Sequence, residues 1–182
     1  MAFPPAHALV GAGVAELTCS AIPLPRWKAW VVAAILAVLP DLDFGVGTLM
    51  GRVSDYHGTF THSAVAVVVV SLFAALAGRG WGVLAGAAYG SHLMVDLLDD
   101  RGRTNVLLAW PFSYKQPDAI ARVFPTVPYE KGHGILAAAG SLLEPSILGP
   151  LVHQTLVGLL FFLVLLTWAW LIRFLSRATG RG

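Results

Sequence analysis

The chain has 182 residues, of which 57% are hydrophobic and only 12% charged, with a formal net charge of +2. A soluble domain of this length needs more polar surface than so few charges supply, whereas a bilayer hides the apolar excess, so the composition excludes a soluble globule and indicates an integral membrane protein. The 12 basic residues are scattered with no two adjacent, which excludes a nucleic-acid footprint, and the single Cys19 excludes both an intrachain disulfide and a cysteine zinc cage.

The N-terminal run from Met1 to His7 lacks the basic region of a cleavable signal peptide and reads as part of the mature fold. Residues 7–22 form a moderately apolar segment rich in Ala and Gly, the small residues that membrane helix interfaces favour, closed by Pro23 and Pro25. Residues 27–39 are more hydrophobic and stop at Pro40, with Asp41 and Asp43 behind it; residues 45–55 read as a loop. Two further apolar runs, 64–77 and 81–98, are separated by Gly78-Arg79-Gly80, a turn that forces an antiparallel helical hairpin. Residues 154–175 are long and apolar enough to span a bilayer alone, with Trp168 and Trp170 near one end and Arg173, Arg177 and Arg181 at or beyond it. The stretch 135–152, interrupted by Glu144-Pro145 and Pro150, reads as an interfacial or re-entrant helix.

These segments predict an all-α, polytopic membrane helical bundle of about five transmembrane helices plus one interfacial or re-entrant segment. It forms a single membrane-embedded domain over 1–182, with a motif core at 6–113, an outer loop region at 99–153 and a C-terminal transmembrane helix at 154–175. The first four runs are shorter than the roughly 20 residues a perpendicular span requires, so they extend into their polar flanks or thin the bilayer locally. With the C-terminus in the cytoplasm, Arg26, Lys28, Arg79, Arg173, Arg177 and Arg181 fall on short inner connections, as the positive-inside rule demands. His7, Asp41, Asp43, His57, His62, His92 and Asp96 then share the outer membrane face. The reverse topology would keep them clustered, on the cytoplasmic side.

Ionisable residues near membrane depth are costly and default to functional status, and here seven come from four segments with a common facing. His92 and Asp96 are four apart, so on a helix both project from one face and can grip one divalent ion through an imidazole nitrogen and a carboxylate oxygen. A helical His and Asp at that spacing can also simply hydrogen-bond to each other. Asp41 and Asp43 present two carboxylates at a helix end, where a solvated terminus is the plainer alternative. His57 and His62, five apart across Gly58-Thr59-Phe60-Thr61, are two ligands, or one ligand and one proton donor. Ser63 is placed to cap the helix that follows, with a serine nucleophile as the other reading. Glu16 lies nine residues beyond His7, about 13 Å along a helix, too deep for the same shell and placed to pair with a polar group inside the bundle. His133 and His153 are read as non-ligands.

Five motifs, taken together, carry a family resemblance. They are Ala6-His7-Ala8-Leu9-Val10-Gly11; Leu39-Pro40-Asp41-Leu42-Asp43; His57-Gly58-Thr59-Phe60-Thr61-His62-Ser63; Tyr89-Gly90-Ser91-His92-Leu93-Met94-Val95-Asp96-Leu97-Leu98; and Leu107-Leu108-Ala109-Trp110-Pro111-Phe112-Ser113. In this order the set resembles the bacterial YdjM family, whose members are described by inference as inner-membrane-associated, metal-dependent hydrolases, some labelled LexA-binding. In that family the histidine motif usually reads His-Arg-Gly-Phe-Thr-His-Ser, so Gly58-Thr59 is a departure and no phosphate-binding arginine stands there. A more distant similarity, through Asp43, His57 and the His92–Asp96 pair, is to zinc-dependent phospholipases C. Their later His-x-x-x-Glu pair is missing from this chain, which favours one or two metal ions over three.

The reading that follows is a hydrolase of the bacterial inner membrane, multi-pass, with its site on the extracytoplasmic face. One or two divalent ions, zinc or else manganese, activate water for attack on an ester or phosphoester, with a lipid or lipid-linked substrate following from the site's location. Expected metal ligands are His7, Asp43, His57, His92 and Asp96. Asp41 is a further ligand or the general base, and His62 a ligand or the acid that protonates the leaving group. The bilayer and its lipids are the expected partners, with no nucleic acid. The alternative is a non-catalytic metal-binding scaffold or transport component, and short inner loops disfavour LexA-type protein docking.

Overall fold

The computed structural model describes residues 3–18, 22–50, 57–98, 104, 106–125 and 144–179. Among the described residues there are six α-helices: α1 Pro4–Thr18, α2 Arg26–Val38, α3 Leu42–Leu49, α4 Ala64–Ala75, α5 Arg79–Asp96 and α6 Pro145–Ala178. Short 3-10 turns at Leu39–Asp41 and Phe60–His62 carry the chain between them. Local chemistry sets the boundaries. Pro4 and Pro145 occupy first-turn positions, where a missing N–H costs nothing. Ser63 caps α4 by accepting the Ala66 N–H at 3.1 Å, as its sequence position suggested. Gly78, with φ of 135°, makes the sharp turn between α4 and α5 that a side chain would oppose.

α1 is the axis of the bundle, packed against α2, α5 and α6. The packing works through small residues. Ala29, Ala33 and Ala37, four apart on α2, are all fully buried, and Ala29 and Ala33 join Ala15 of α1 and Leu84 and Ala88 of α5 in one core cluster. A methyl group at Gly11 would collide with Ala37 and with the Ala33 carbonyl, and one at Gly158 would lie 3.0 Å from the Ala6 backbone. Glycine at these two positions is what lets α2 and α6 approach α1 at backbone contact. The opposite faces are apolar and uncovered: α4 has no buried residue at all, and Leu72, Phe73, Leu156, Leu160 and Val164 are exposed. An apolar exterior around a small-residue core is the arrangement a lipid solvent selects.

Among the described residues, two helices are long and apolar enough to cross a membrane, Arg26–Gly47 and Pro145–Ala178. At 1.5 Å per residue the 34 residues of α6 extend about 51 Å, well beyond the roughly 30 Å hydrocarbon layer. The 15, 12 and 18 residues of α1, α4 and α5 extend about 22, 18 and 27 Å.

Two boundaries differ from the sequence reading. Helix α6 begins at Pro145 and runs through Pro150, so the stretch expected to stop before residue 154 is continuous with the final span. Pro150 stands only five residues beyond the first helical position, where its one lost hydrogen bond is easily accommodated. The loop expected from residue 45 is helical to Leu49: α3 resumes the path of α2 after the 3-10 turn, despite Gly45 and Gly47. The first half of the expected 135–152 interfacial segment, 135–143, lies outside the described residues.

Candidate metal centre

All seven residues named from the sequence converge at one end of the bundle. His7 comes from the second turn of α1, Asp41 from the 3-10 turn after α2, Asp43 from the first turn of α3, and His57 and His62 from the segment before α4. His92 and Asp96 sit one turn apart near the end of α5, on the same face, as the i, i+4 spacing requires. His7, Asp43, His62, His92 and Asp96 are buried, His92 and His7 completely, and Asp41 stands at the edge of burial.

The histidines are held from behind. His92 Nδ1 lies 2.7 Å from the Ala37 carbonyl, an acceptor only, so that nitrogen carries the proton and Nε2 presents its lone pair. Asp43 does the same for two rings: its Oδ1 is 2.9 Å from His57 Nδ1 and its Oδ2 is 3.1 Å from His62 Nδ1. Asp43 Oδ2 also accepts the Gly58 N–H at 3.1 Å and the Thr61 hydroxyl at 2.5 Å. Gly58 reaches this position with φ of 79°, a left-handed conformation that suits glycine. Tyr89, three residues before His92 on the same helix, donates its hydroxyl to the Thr61 carbonyl at 2.8 Å and ties the histidine segment to α5. Imidazoles oriented through Nδ1 by a carboxylate or a carbonyl, with Nε2 pointing inward, are the usual outer support of a metal site.

Inside this support the acceptors crowd together. His62 Nε2 and His92 Nε2 are 3.0 Å apart. Asp41 Oδ1 is 3.7 Å from the first and 3.6 Å from the second. Asp96 Oδ2 is 3.7 Å from the first and 3.3 Å from the second. Tetrahedral ligands at 2.0–2.1 Å from a zinc-sized ion stand about 3.3–3.4 Å from one another, so the two imidazole nitrogens and either carboxylate oxygen, drawn from three segments, lie near the separation that one divalent ion imposes. His7 flanks them, its ring stacked on His92 at 3.8 Å and its Nε2 3.5 Å from Asp96 Oδ1. His57 flanks the other side, its ring 4.9 Å from that of His62. Both Asp41 oxygens, Asp96 Oδ1 and His57 Nε2 are buried without a hydrogen-bond partner. Buried acceptors are left in that condition only where something else neutralises them, and a cation does so.

Three overlapping sets of donors lie close enough to hold an ion: His7 with Asp41 and His92, Asp41 with His57 and His62, and His62 with His92 and Asp96. Asp41, His62 and His92 each belong to two sets, so the site is one continuous cluster. Without an ion, burial by itself would lower the His62 pKa, but the facing Asp43, Asp41 and Asp96 carboxylates outweigh it and push the imidazole up to about 10. A proton on His62 is thus the stand-in for the missing charge.

Thr61, Tyr89 and the Ala37 carbonyl were not singled out from the sequence. Tyr89 shares a helix face with His92 and Asp96, and Thr61 sits inside the histidine motif; the Ala37 carbonyl carries no sequence signal. Ser63 is fully buried, its Oγ donating to the Phe60 carbonyl at 2.7 Å while capping α4, so the cap accounts for it. Asp99, Asp100 and His133 lie outside the described residues, and His153 is exposed on α6, away from the cluster.

Glu16 lies apart from the metal cluster, near the other end of α1. Arg26 binds it through two bonds, Nε to Oε1 at 3.1 Å and Nη2 to Oε2 at 2.6 Å. Trp30 Nε1 donates to Oε1 at 2.6 Å, and Arg173 Nη2 to Oε2 at 2.5 Å. The polar partner expected inside the bundle is this set.

A family model described as YdjM inner membrane protein matches residues 1–179. No curated protein and no solved structure matches the chain. The likeness to zinc-dependent phospholipases C therefore rests on residue spacing alone.

Proposed function

The chain belongs to the YdjM inner membrane protein family, and from that premise we propose that it is a multi-pass, metal-dependent hydrolase acting on an ester or phosphoester at the membrane surface. The observation that carries this reading is the convergence of His62 Nε2, His92 Nε2, Asp41 Oδ1 and Asp96 Oδ2 at 3.0–3.7 Å. These four residues would hold a divalent ion, zinc or manganese, with His7 and His57 flanking it and able to complete a second position. When bound, the ion supplies Lewis acidity, which activates water and polarises the oxygen under attack.

The protein's own groups divide the remaining work. Asp41 has two oxygens without hydrogen-bond partners, enough to hold an ion with one and accept a proton from the attacking water with the other. Asp43, its oxygens occupied by His57, His62, Gly58 and Thr61, orients the imidazoles, a different task from the ligand role expected for it. His62 serves as a ligand because Asp43 takes its Nδ1 proton and aims Nε2 inward.

The five-span topology belongs to the same proposal. The described basic ends Arg26, Lys28, Arg79, Arg173 and Arg177 lie at the helix termini away from the cluster, which supports a cytoplasmic basic face and an extracytoplasmic site. A site at that depth meets lipid headgroups at high local concentration, so a lipid or lipid-linked substrate is favoured. The near-complete burial of the cluster supports a second reading, a closed metal site that holds a membrane scaffold together.

Elemental mass spectrometry of the detergent-purified protein, followed by hydrolysis assays on phospholipids and small phosphoesters, separates these. Near-stoichiometric metal that is lost in His92→Ala and Asp96→Ala, together with metal-dependent turnover, is expected. Metal without turnover of any substrate class supports the scaffold. A folded wild-type protein that neither carries nor takes up metal overturns both.

A further inference from the structure

A second site is built at the opposite end of the bundle. Arg26 of α2 and Arg173, Arg177, Trp170 and Phe174 of α6 line a cleft of about 320 Å³. Three arginines line that cleft, and Glu16 binds two of them, Arg26 and Arg173. Like charges are not brought together at a membrane without a counter-charge. Glu16 is completely buried at its side chain and acts from beneath, pinning Arg26 and Arg173 while leaving those side chains 57% and 37% exposed. Arg177 is exposed, one helical turn beyond Arg173, and has no acidic partner among the described residues. A guanidinium carries five N–H donors in a planar fork, so Arg173 keeps donors beyond those that Glu16 occupies and Arg177 brings its own.

The remaining wall is aromatic. Trp170 and Phe174, one turn apart, stack with ring centroids 5.4 Å apart and an interplanar angle of 15°, and both are more than half exposed. Tryptophan at a helix end beside arginines marks the headgroup level of a bilayer. Basic pockets between membrane helices at that level take phosphate-bearing headgroups.

We propose that the cleft between Arg26, Arg173 and Arg177 is a binding site for the phosphate of an anionic phospholipid, with Trp170 and Phe174 packed against the lipid's glycerol and upper acyl region. The site is independent of the metal cluster: it lies at the far end of α1 and uses none of the same side chains.

The test uses the full-length protein reconstituted in nanodiscs of mixed phosphatidylglycerol and phosphatidylcholine, then extracted in mild detergent and examined by native mass spectrometry for retained lipid. Wild type is expected to retain phosphatidylglycerol over phosphatidylcholine. Arg177→Gln is expected to lower that retention about fivefold, the effect of one surface arginine on anionic-lipid binding. Arg177 makes no contact with Glu16, so melting temperature and metal content should stay at wild-type values, and Arg177→Lys should keep most of the retention. Equal retention of the two lipids by wild type, or unchanged phosphatidylglycerol retention in the Arg26→Gln/Arg177→Gln double variant, overturns the proposal. A parallel titration with inorganic phosphate separates the sources: saturable phosphate binding without lipid preference overturns the lipid assignment.

Discussion

Two groups of ionisable side chains are buried in this bundle, about 13 Å apart along α1, and they are built on opposite rules. Around Glu16, donors meet acceptors: one carboxylate receives four side-chain hydrogen bonds from Arg26, Trp30 and Arg173. Around His92, imidazoles meet carboxylates: Asp41 Oδ1 and Asp96 Oδ2 each lie 3.3–3.7 Å from both His62 Nε2 and His92 Nε2, and both Asp41 oxygens have no hydrogen bond. In the first group the protein's own donors satisfy the carboxylate. The second leaves buried carboxylate oxygens without donors, a place a cation could fill, and burial alone does not distinguish the two.

The largest way to sharpen this contrast is pH. Zinc or manganese uptake must displace the proton that the surrounding carboxylates hold on His62, whose pKa is raised to about 10. Affinity should rise with pH, by up to about tenfold per unit for each proton displaced, with proton release visible by calorimetry in two buffers of different ionisation enthalpy. In the metal-free protein the sign is opposite: the raised His62 pKa contributes stability that is full below about pH 6.5 and is lost as pH climbs through about 10. The Glu16 arginines keep their charge across this range, so the basic end should show no such response.

Asp43→Asn tests the outer support. It should lower metal affinity about 10- to 100-fold while leaving every inward-facing donor in place, because His57 and His62 lose the carboxylate that fixes their rings. An unchanged affinity by competition with a chelating dye would return Asp43 to the surface chemistry of a helix end.

Glu16→Gln tests the self-sufficient group. Unfolding in mild detergent should become easier by about 1–3 kcal/mol, since hydrogen bonds to a charged acceptor are weakened, with metal content unchanged. Loss of metal in this variant would mean the two ends are coupled and the contrast is false.

The smallest effect is expected from Ser63→Ala, about 1 kcal/mol of stability for a lost helix cap, with turnover retained. Abolished turnover with normal metal content would instead make Ser63 a participant in the chemistry.

The cluster was legible because polar residues in so apolar a chain stand out: His7, Asp41, Asp43, His57, His62, His92 and Asp96 all meet, and the helical spacing of the last pair explains how. The division of labour among them was not legible. Asp41 and Asp43 are two residues apart with the same chemistry, yet one faces the acceptor cluster bare and the other is saturated from Gly58, Thr61, His57 and His62. That difference depends on the 3-10 turn at Leu39–Asp41, which rotates the two carboxylates apart and follows from no local propensity. The helical path of 42–49 was obscured by Gly45 and Gly47, and the true start of α6 by Pro150; in both cases packing and position overrode residues that usually interrupt helices.

The contact between Gly158 and Ala6 has a bearing on how the protein is made. The Ala6 backbone, next to His7, rests against α6, and the Phe3 N–H donates to Gln154 Oε1 at 2.6 Å. The first turns of the chain therefore acquire their seat from a helix synthesised well over a hundred residues later. During biosynthesis α1 can meet α2 and α5 first, but it gains its full set of neighbours only after residues 145–178 have been made. A chain that stops before then keeps all seven cluster residues but lacks the wall that Gly158 and Gln154 set against the start of α1.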